Sequence, residues 1–340
     1  MPNNLWNDIW YESHPLSLAL RPISYVLKAV VWGRQKAYAK GLSAQYQAAV
    51  PIIVVGNISV GGTGKTPFII WLGKLLQAKQ KADGEPIRIG IVSRGYKSAS
   101  EHEPSLLNAD SLPEQVGDEP YMIYQHLHCP MAVGADRVQA IKLLLAHYEL
   151  DLILSDDGMQ HYAMGRQLEI AMIDGTRGLG NGHLLPSGPL REPPERLRKV
   201  NFIVANSQNY QHFPVMRLIA DRVLSVSNNE PVATLTDFSA NTVHAIAGIG
   251  NPQRFFNTLR ERGIQCIEHA KPDHHHFELA DVQFDDDLPV LMTEKDAVKC
   301  RKLGADKLLY VPVEAQLPND FSTALLNEIQ DLLASEKIDG

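Results

Sequence analysis

The stretch NISVGGTGKTP, Asn57 to Pro67, decides how the rest of the chain is read. It ends in the Gly-Lys-Thr of a phosphate-binding loop, G-x-x-x-x-G-K followed by Ser or Thr, yet it carries Ser59 where that pattern has its first glycine. Ser59 costs little if its φ is negative, because only a positive φ demands glycine. Upstream, VPIIVV (Val50 to Val55) is a continuous apolar, β-branched run that suits a strand buried on both faces of a parallel sheet. Downstream, TPFIIWLGKLLQAKQ has Pro67 near its first turn and apolar residues at Ile69, Leu72, Leu75 and Leu76, which predicts a helix. Strand, glycine loop and helix are the context a nucleotide site requires. Gly61, Gly62 and Gly64 let backbone N–H groups approach an anion at the helix N-terminus. The expected nucleotide-binding residues are Ser59, Val60, Gly61, Gly62, Thr63, Gly64, Lys65 and Thr66, with Lys65 on the β- and γ-phosphates and the Thr66 hydroxyl on Mg²⁺.

Further along, IRIGIVS (Ile87 to Ser93), MAVG (Met131 to Gly134), LDLILSDD (Leu150 to Asp157), LEIAMID (Leu168 to Asp174) and NFIVAN (Asn201 to Asn206) read as strands. ADRVQAIKLLLAHYE reads as a helix between two of them. That alternation predicts an α/β fold with a doubly wound, mostly parallel sheet, whose ligands sit outside the carboxyl ends of the strands. The glycine loop, Ser93, Asp156, Asp157 and Asp174 all fall at such ends. Asp174 to Pro194 holds too much Gly and Pro for a regular element, and long irregular loops in compact domains are usually functional. A boundary near Asn228 to Pro231 precedes VHAIAGIG, PQRFFNTLRERG, PVLMTEKD and KLLYVPVE, which suggest a smaller α/β unit. The expected division is 1–44 as an N-terminal membrane-surface segment, 45–228 as the nucleotide-binding core and 229–340 as the C-terminal unit.

The chain has 340 residues, 44% of them hydrophobic, and a net charge of -7, so it is globular and has no basic excess for binding nucleic acid. Cys129, Cys266 and Cys300 are far apart, which argues against a disulfide framework or a zinc knuckle and fits a reducing cytoplasm. No protein partner is inferred from the sequence. Between Glu12 and Asp83 there is no acidic residue, while Arg21, Lys28, Arg34, Lys36 and Lys40 punctuate the apolar segment Pro15 to Gly41. Arg21 and Lys28 break any run of about 18 apolar residues, so the segment is not expected to span a bilayer. It reads either as an interfacial helix, with its basic residues against anionic headgroups and an apolar face through Leu20 and Val30, or as an ordinary helix packed on the core. Its acid-free, apolar composition favours the membrane surface.

LILSDDGMQH, Leu152 to His161, puts two carboxylates directly after an apolar strand. In a nucleotide-binding sheet Asp156 and Asp157 stand where a Mg²⁺-holding aspartate is found, although Asp157-Gly158 is also an ordinary turn dipeptide. In VGDEPYMIYQHL, Asp118 and Glu119 precede a helical stretch, where acidic residues suit the dipole in any case. KPDHHHF, Lys271 to Phe277, has three histidines in a row, but no second cluster at ligand spacing supports a metal, and a pairing of histidine with aspartate competes. TEKD, Thr293 to Asp296, faintly resembles a base-reading motif of GTP-binding proteins and fits a helix cap better.

Taken together and in order, the apolar N-terminal segment, VVGNISVGGTGKTP, SRGY (Ser93 to Tyr96), VGDEP, SDDGMQH, GHLLPSGPLREP, PDHHHF and TEKDAVK resemble the tetraacyldisaccharide 4'-kinase family of lipid A synthesis over essentially the whole chain. In that family the loop looks like this one, Ser59 included. The resemblance implies phosphoryl transfer from ATP, with Mg²⁺, to the 4'-hydroxyl of an acylated glucosamine disaccharide 1-phosphate at the cytoplasmic face of the bacterial inner membrane. It further implies Lys65 and Thr66 on the phosphates and metal, Asp156 and Asp157 on the metal side, Asp118 as catalytic base with His274 as its partner, and Arg191 with Glu192 as a further active-site pair. Glu119 and His161 are expected in substrate or supporting roles. A membrane-associated P-loop ATPase or GTPase switch is the alternative class; it leaves Asp118 and the Asp174–Pro194 loop without a role.

Overall fold

The run expected as a strand before the glycine loop forms β1 (Ile52–Gly56), buried at every position and flanked on both sides by parallel neighbours. In the computed structural model, which describes residues 5–81, 84–95, 103–304 and 307–335, this strand lies at the centre of a nine-stranded sheet. The others are β2 (Ile89–Ser93), β3 (Ser105–Leu106), β4 (Met131–Val133), β5 (Leu152–Asp156), β6 (Leu168–Asp174), β7 (Phe202–Asn206), β8 (Val215–Ile219) and β15 (Glu314–Gln316). Their order is β15-β8-β7-β6-β1-β5-β2-β4-β3, parallel except for β3 and β15 at the edges. Successive connections leave β1 in opposite directions, toward β2 and later toward β6, so the crevice of this doubly wound sheet opens above β1, β5 and β6.

Helices cover both faces. The helix after the loop, α3 (Lys65–Gln77), packs with α5 (Asp118–Leu127) and α10 (Asn319–Ser335) over one face, sharing a core with Phe68, Leu72, Ile123, Phe321, Leu325 and Ile329. The opposite face is covered by α6 (Arg137–His147) and by Leu184 and Leu190 of the Gly/Pro-rich loop. The N-terminus supplies α1 (Leu5–Tyr11) and α2 (Pro15–Ala39), and the short α4 (Pro113–Val116) leads into α5.

A second sheet, ordered β10-β9-β14-β13-β11-β12, comprises β9 (Arg222–Ser225), β10 (Pro231–Thr234), β11 (Thr242–Ala247), β12 (Gln265–Ala270), β13 (Val290–Thr293) and β14 (Leu308–Val311). It carries α7 (Pro252–Glu261), α8 (Leu279–Val282) and α9 (Glu294–Cys300). The chain crosses into this sheet between Ile219 and Arg222, before the boundary expected at residue 228. Asn228 and Asn229, with Asn229 at φ 61, instead turn a hairpin between β9 and β10. The chain also returns: β15 and α10 rejoin the first sheet, because the apolar stripe Phe321, Leu325 and Ile329 buries against α3. The first unit is therefore closed by residues from both ends of the chain.

Candidate active site

The phosphate loop runs from the end of β1 to the start of α3. Gly61 (φ 106) and Gly64 (φ 87) occupy the left-handed region, whereas Ser59 does not, so the departure from the usual pattern is free of strain. A Cβ at Gly64 would also collide with the Asn206 side-chain amide, whose nitrogen would stand only 2.6 Å from it. The Lys65 ammonium stands 3.4 Å from Asp157 Oδ1 and donates to Asn57 Oδ1 at 3.3 Å. Asn57, wholly buried, donates in turn to the Ser59 carbonyl (2.6 Å). The Val60 N–H is already bonded to the Pro189 carbonyl (2.8 Å), so it holds the loop's own framework rather than facing an anion. Thr63 and Thr66 are buried beside it, and the Thr63 hydroxyl has no hydrogen-bond partner.

Both carboxylates at the end of β5 enter this crevice. Asp156 accepts a hydrogen bond from the Ser93 hydroxyl (2.8 Å) through Oδ2, while Oδ1 is buried and without a hydrogen-bond partner. Burial, reinforced by the charge of Glu119, pushes its carboxyl up to about 6 despite the opposing pull of Lys65. Asp157 sits at φ 51, a conformation uncommon outside glycine, with its carboxylate between Lys65 and Arg191 Nη1 (3.1 Å). Burial would raise it, but Lys65 and Arg191 outweigh that and hold it below the usual carboxylate range. A buried carboxylate oxygen lacking a donor, with a second carboxylate on the following residue, offers hard oxygens that fit Mg²⁺. Asp156, Asp157 and Thr66 would hold it. Behind them Arg137, which sequence reasoning missed, donates to the Gly134 and Asp156 carbonyls (2.7 and 3.2 Å) and braces the strand end.

Across the crevice the two sheets meet. Asp118 begins α5 on the first sheet, and its Oδ2 lies 3.1 Å from Nδ1 of His274, which follows β12 on the second. His274 is at φ 61, so the second of the two groups expected to act on the acceptor also sits in strained backbone, as such residues do where surrounding contacts over-determine them. Burial acts to raise the Asp118 carboxyl, yet the hydrogen bond from His274 and the charges of Lys299 and Lys295 hold it below its ordinary value. Lys295 also bridges Glu119 (3.3 Å) and Asp273 (3.1 Å) across the sheets. Glu119 therefore belongs to this bridge, and its charge is felt at Asp156.

The Asp174–Pro194 loop is the surprise of the site. It folds back over the phosphate loop, with Leu190 bridged to Ser59 and the Arg191 N–H bonded to the Ile58 carbonyl (2.6 Å), and so delivers Arg191 to Asp157. Glu192 is fully buried and accepts from Gln35 (2.8 Å), Gln160 (2.7 Å) and the Tyr162 hydroxyl (2.6 Å), a supporting place in the framework. The same loop grips the N-terminal helices: Asn181 donates to the Ile9 carbonyl (3.1 Å) and Ser24 to the Leu184 carbonyl (2.8 Å).

In consequence α2 is inverted relative to a water-facing helix. Ser17 and Ser24 are its buried residues, and Leu16, Leu18, Ile23, Val26, Val30 and Trp32 face outward. Leu20, expected on the apolar outer face, is half-buried on the inner side. By length and composition alone α2 is apolar enough to cross a membrane even with Arg21 and Lys28 in it.

Other candidates lie apart. His161 turns toward Asp136 (3.8 Å) in a cleft lined also by Tyr46 and Lys142, and burial with the charge of Arg137 pushes its imidazole down to about 4. His275 pairs with Asp281 (2.9 Å), His276 is exposed, and no group of three or more His, Cys, Asp or Glu placed to share a metal occurs among the described residues. Thr293 caps α9, accepting from the Asp296 N–H. Tyr96 of the SRGY motif lies outside the described residues.

Comparison with known proteins shows the family. The family model described as Tetraacyldisaccharide-1-P 4'-kinase matches residues 16–330. A tetraacyldisaccharide 4'-kinase of Legionella pneumophila (strain Corby) is 44% identical over 324 residues, covering 95% of this chain and 97% of the relative. One from Pseudomonas putida (strain F1) is 45% identical over 327 residues, covering 95% and 96%. Among solved structures, an "apo" form of LpxK from Aquifex aeolicus in complex with ATP superposes with a TM-score of 0.77 at 28% identity, covering 94% of this chain and 99% of that one. With its phosphate loop, paired carboxylates and cross-sheet Asp118–His274 contact all inside the matched span, the chain belongs to the tetraacyldisaccharide-1-P 4'-kinase family.

Proposed function

We infer how this ATP-dependent tetraacyldisaccharide 4'-kinase of lipid A biosynthesis divides phosphoryl transfer among its residues. ATP binds with its phosphates over Gly61 to Thr66, where Lys65 leaves Asp157 to neutralise charge on the β- and γ-phosphates. Asp156, Asp157 and Thr66 would hold Mg²⁺, which would further neutralise the triphosphate. The acceptor 4'-hydroxyl lies against Asp118. As its oxygen bonds to the γ-phosphorus, the bond to the β,γ-bridging oxygen breaks, ADP leaves and the hydroxyl proton passes to Asp118. His274 orients that carboxylate and disperses the proton. The observation that carries this assignment is the 3.1 Å contact between Asp118 and His274, which joins the two sheets beside the Lys65–Asp157–Arg191 cluster.

Membrane association follows from an acylated substrate. The outward apolar face of α2, with exposed Lys28, Arg34, Lys36 and Lys40, supports a peripheral seat on anionic lipid at the cytoplasmic face of the bacterial inner membrane. The ties from the inner side of α2 to the catalytic loop support a reading in which it lies on the surface rather than crossing it. The deciding measurement is Mg·ATP turnover with and without the acylated disaccharide 1-phosphate. Stoichiometric ADP and 4'-phosphorylated lipid are expected only with the acceptor present; equal ADP release without it would favour the ATPase or GTPase switch.

A further inference from the structure

A continuous set of side-chain hydrogen bonds connects α2 to the phosphate-loop lysine. Gln35 of α2 donates to Glu192 Oε2 (2.8 Å) and to the Tyr162 hydroxyl (3.1 Å), which itself donates to Glu192 (2.6 Å). Gln160 donates to Glu192 Oε1 (2.7 Å) and to the Asn57 carbonyl (3.0 Å). Asn57 then holds Lys65 through Oδ1 (3.3 Å) and the Ser59 carbonyl through its NH₂ (2.6 Å). Every amide in the series has one permitted orientation. An ionised Glu192 only accepts, so Gln35 and Gln160 must present nitrogen to it; a Lys65 ammonium only donates, so Asn57 must present oxygen to it. The helix grips this network at further points, with the Arg34 guanidinium 5.5 Å from the Tyr162 ring centroid and Tyr38 at 6.0 Å.

We propose that Gln35 and Gln160 are positioning residues for the known reaction: the seat of α2 against the protein sets Glu192, Glu192 sets Gln160, and Gln160 sets Asn57 and hence Lys65. The helix that carries the exposed Val26, Val30 and Trp32 thereby also governs the placement of the loop cation. Neither glutamine touches substrate in this scheme, so each acts on turnover rather than on the affinity for lipid. A fully buried carboxylate with this many donors is a poor place to lose one, since its remaining partners must shift to satisfy it. The inference rests on the assignment of Lys65 to the transferring phosphates.

The test is a mutant cycle on detergent-dispersed substrate, with Gln35→Leu, Gln160→Leu and the double variant, alongside vesicle sedimentation and thermal melts. Gln160→Leu should lower kcat by about tenfold and Gln35→Leu by somewhat less, as loss of one hydrogen bond to a charged group allows. The KM for MgATP and binding to phosphatidylglycerol-containing vesicles should stay within about twofold of wild type, and the double variant should be no slower than Gln160→Leu alone. Losses that multiply in the double variant would overturn the proposal, as would a Gln35→Leu defect confined to vesicle binding. If the leucine variants melt early, Tyr162→Phe removes only one hydroxyl from the same carboxylate and replaces Gln35→Leu in the cycle, with the same two outcomes. A folded Lys65→Ala protein with near-normal turnover would remove the loop assignment itself; multiplicative losses beside an inactive Lys65→Ala remove only the coupling.

Discussion

The two halves of the site are built differently. The nucleotide half takes Lys65, Asp156, Asp157 and Arg191 from strand ends and loops of a single sheet, and each charge there has a counter-charge from the same sheet. The acceptor half takes Asp118 from one sheet and His274 from the other, held together by a few cross-sheet contacts: Lys295 with Glu119, His126 with Glu294 (2.6 Å) and Arg301 with Tyr121 (3.2 Å). On the proposed division of roles, ATP recognition belongs to one sheet and transfer to both. Removing a group from the first half should cost the charge it supplies; removing one from the second should leave ATP binding intact.

The largest effect is expected at Lys65. Lys65→Ala should lower kcat by about a thousandfold or more, because a cation aimed at charge that develops in the transition state has no substitute in a water-poor crevice. The melting temperature should change little, since in the resting protein the ammonium is held by a partly exposed Asp157 and one amide. Steady-state kinetics beside a thermal melt checks both. In the acceptor half, Asp118→Ala and His274→Ala should each lower kcat by about a hundredfold with the KM for MgATP within about twofold. The double variant should be little worse than the slower single, as groups acting as one unit are non-additive. A KM for MgATP that climbs in step with the loss of kcat would erase the distinction between the halves.

Next in size is a pH effect confined to the nucleotide half. The folded protein raises the Asp156 carboxyl to about 6 from an ordinary 3.8, chiefly by burial, so ionising it costs folding free energy. Its contribution is therefore fully present below the unfolded pKa and is lost as pH rises through about 6. The shift of roughly two units corresponds to about 3 kcal/mol at order of magnitude. Relative to Asp156→Asn, metal-free wild type should lose melting temperature between pH 4 and pH 8, and millimolar Mg²⁺ should restore most of it. Parallel pH profiles for the two proteins without metal would show that burial of Asp156 does not govern the site.

How much of this was legible follows from how local each signal is. The phosphate loop, and Asp156 and Asp157 at the end of the neighbouring strand β5, were each read from contiguous residues, since a buried strand, glycine turn and helix each leave a short-range pattern. Asp118 was not separable from any acidic residue in a first helical turn, and its partner lies 156 positions away, so only the family resemblance joined them. The return of β15 and α10 to the first sheet was missed because Glu314–Gln316 is too short to read as a strand and nothing local says which sheet it will pair with. Asn57 and Gln160 were passed over because buried amides carry no sequence pattern of their own. For α2, apolar content was plain but not its direction. The available clue was Ser17 and Ser24, two turns apart in an otherwise apolar helix, marking the side that meets protein.

That inversion yields the smallest effect on intrinsic chemistry and the sharpest contrast with the site. On α10, Phe321, Leu325 and Ile329 face the core, and Leu325→Ala should cost about 2–5 kcal/mol of stability. On α2, Val26 and Val30 are 66% and 53% exposed, so Val26→Glu with Val30→Glu removes no core contact. The melting temperature should stay within about two degrees of wild type, as for surface substitutions generally. Turnover of detergent-dispersed substrate should stay within about twofold, because the inner face with Ser24 and Gln35 is untouched. Partition onto anionic vesicles, however, should fall by at least about tenfold, since two apolar side chains leave the acyl boundary and two negative charges meet the headgroups. Turnover of bilayer-presented substrate should fall with it. Unchanged vesicle binding would mean that the outward apolar face of α2 is not the membrane contact, whereas a fall in detergent turnover equal to that on vesicles would mean that the double variant had disturbed the inner face and, through Gln35, the loop.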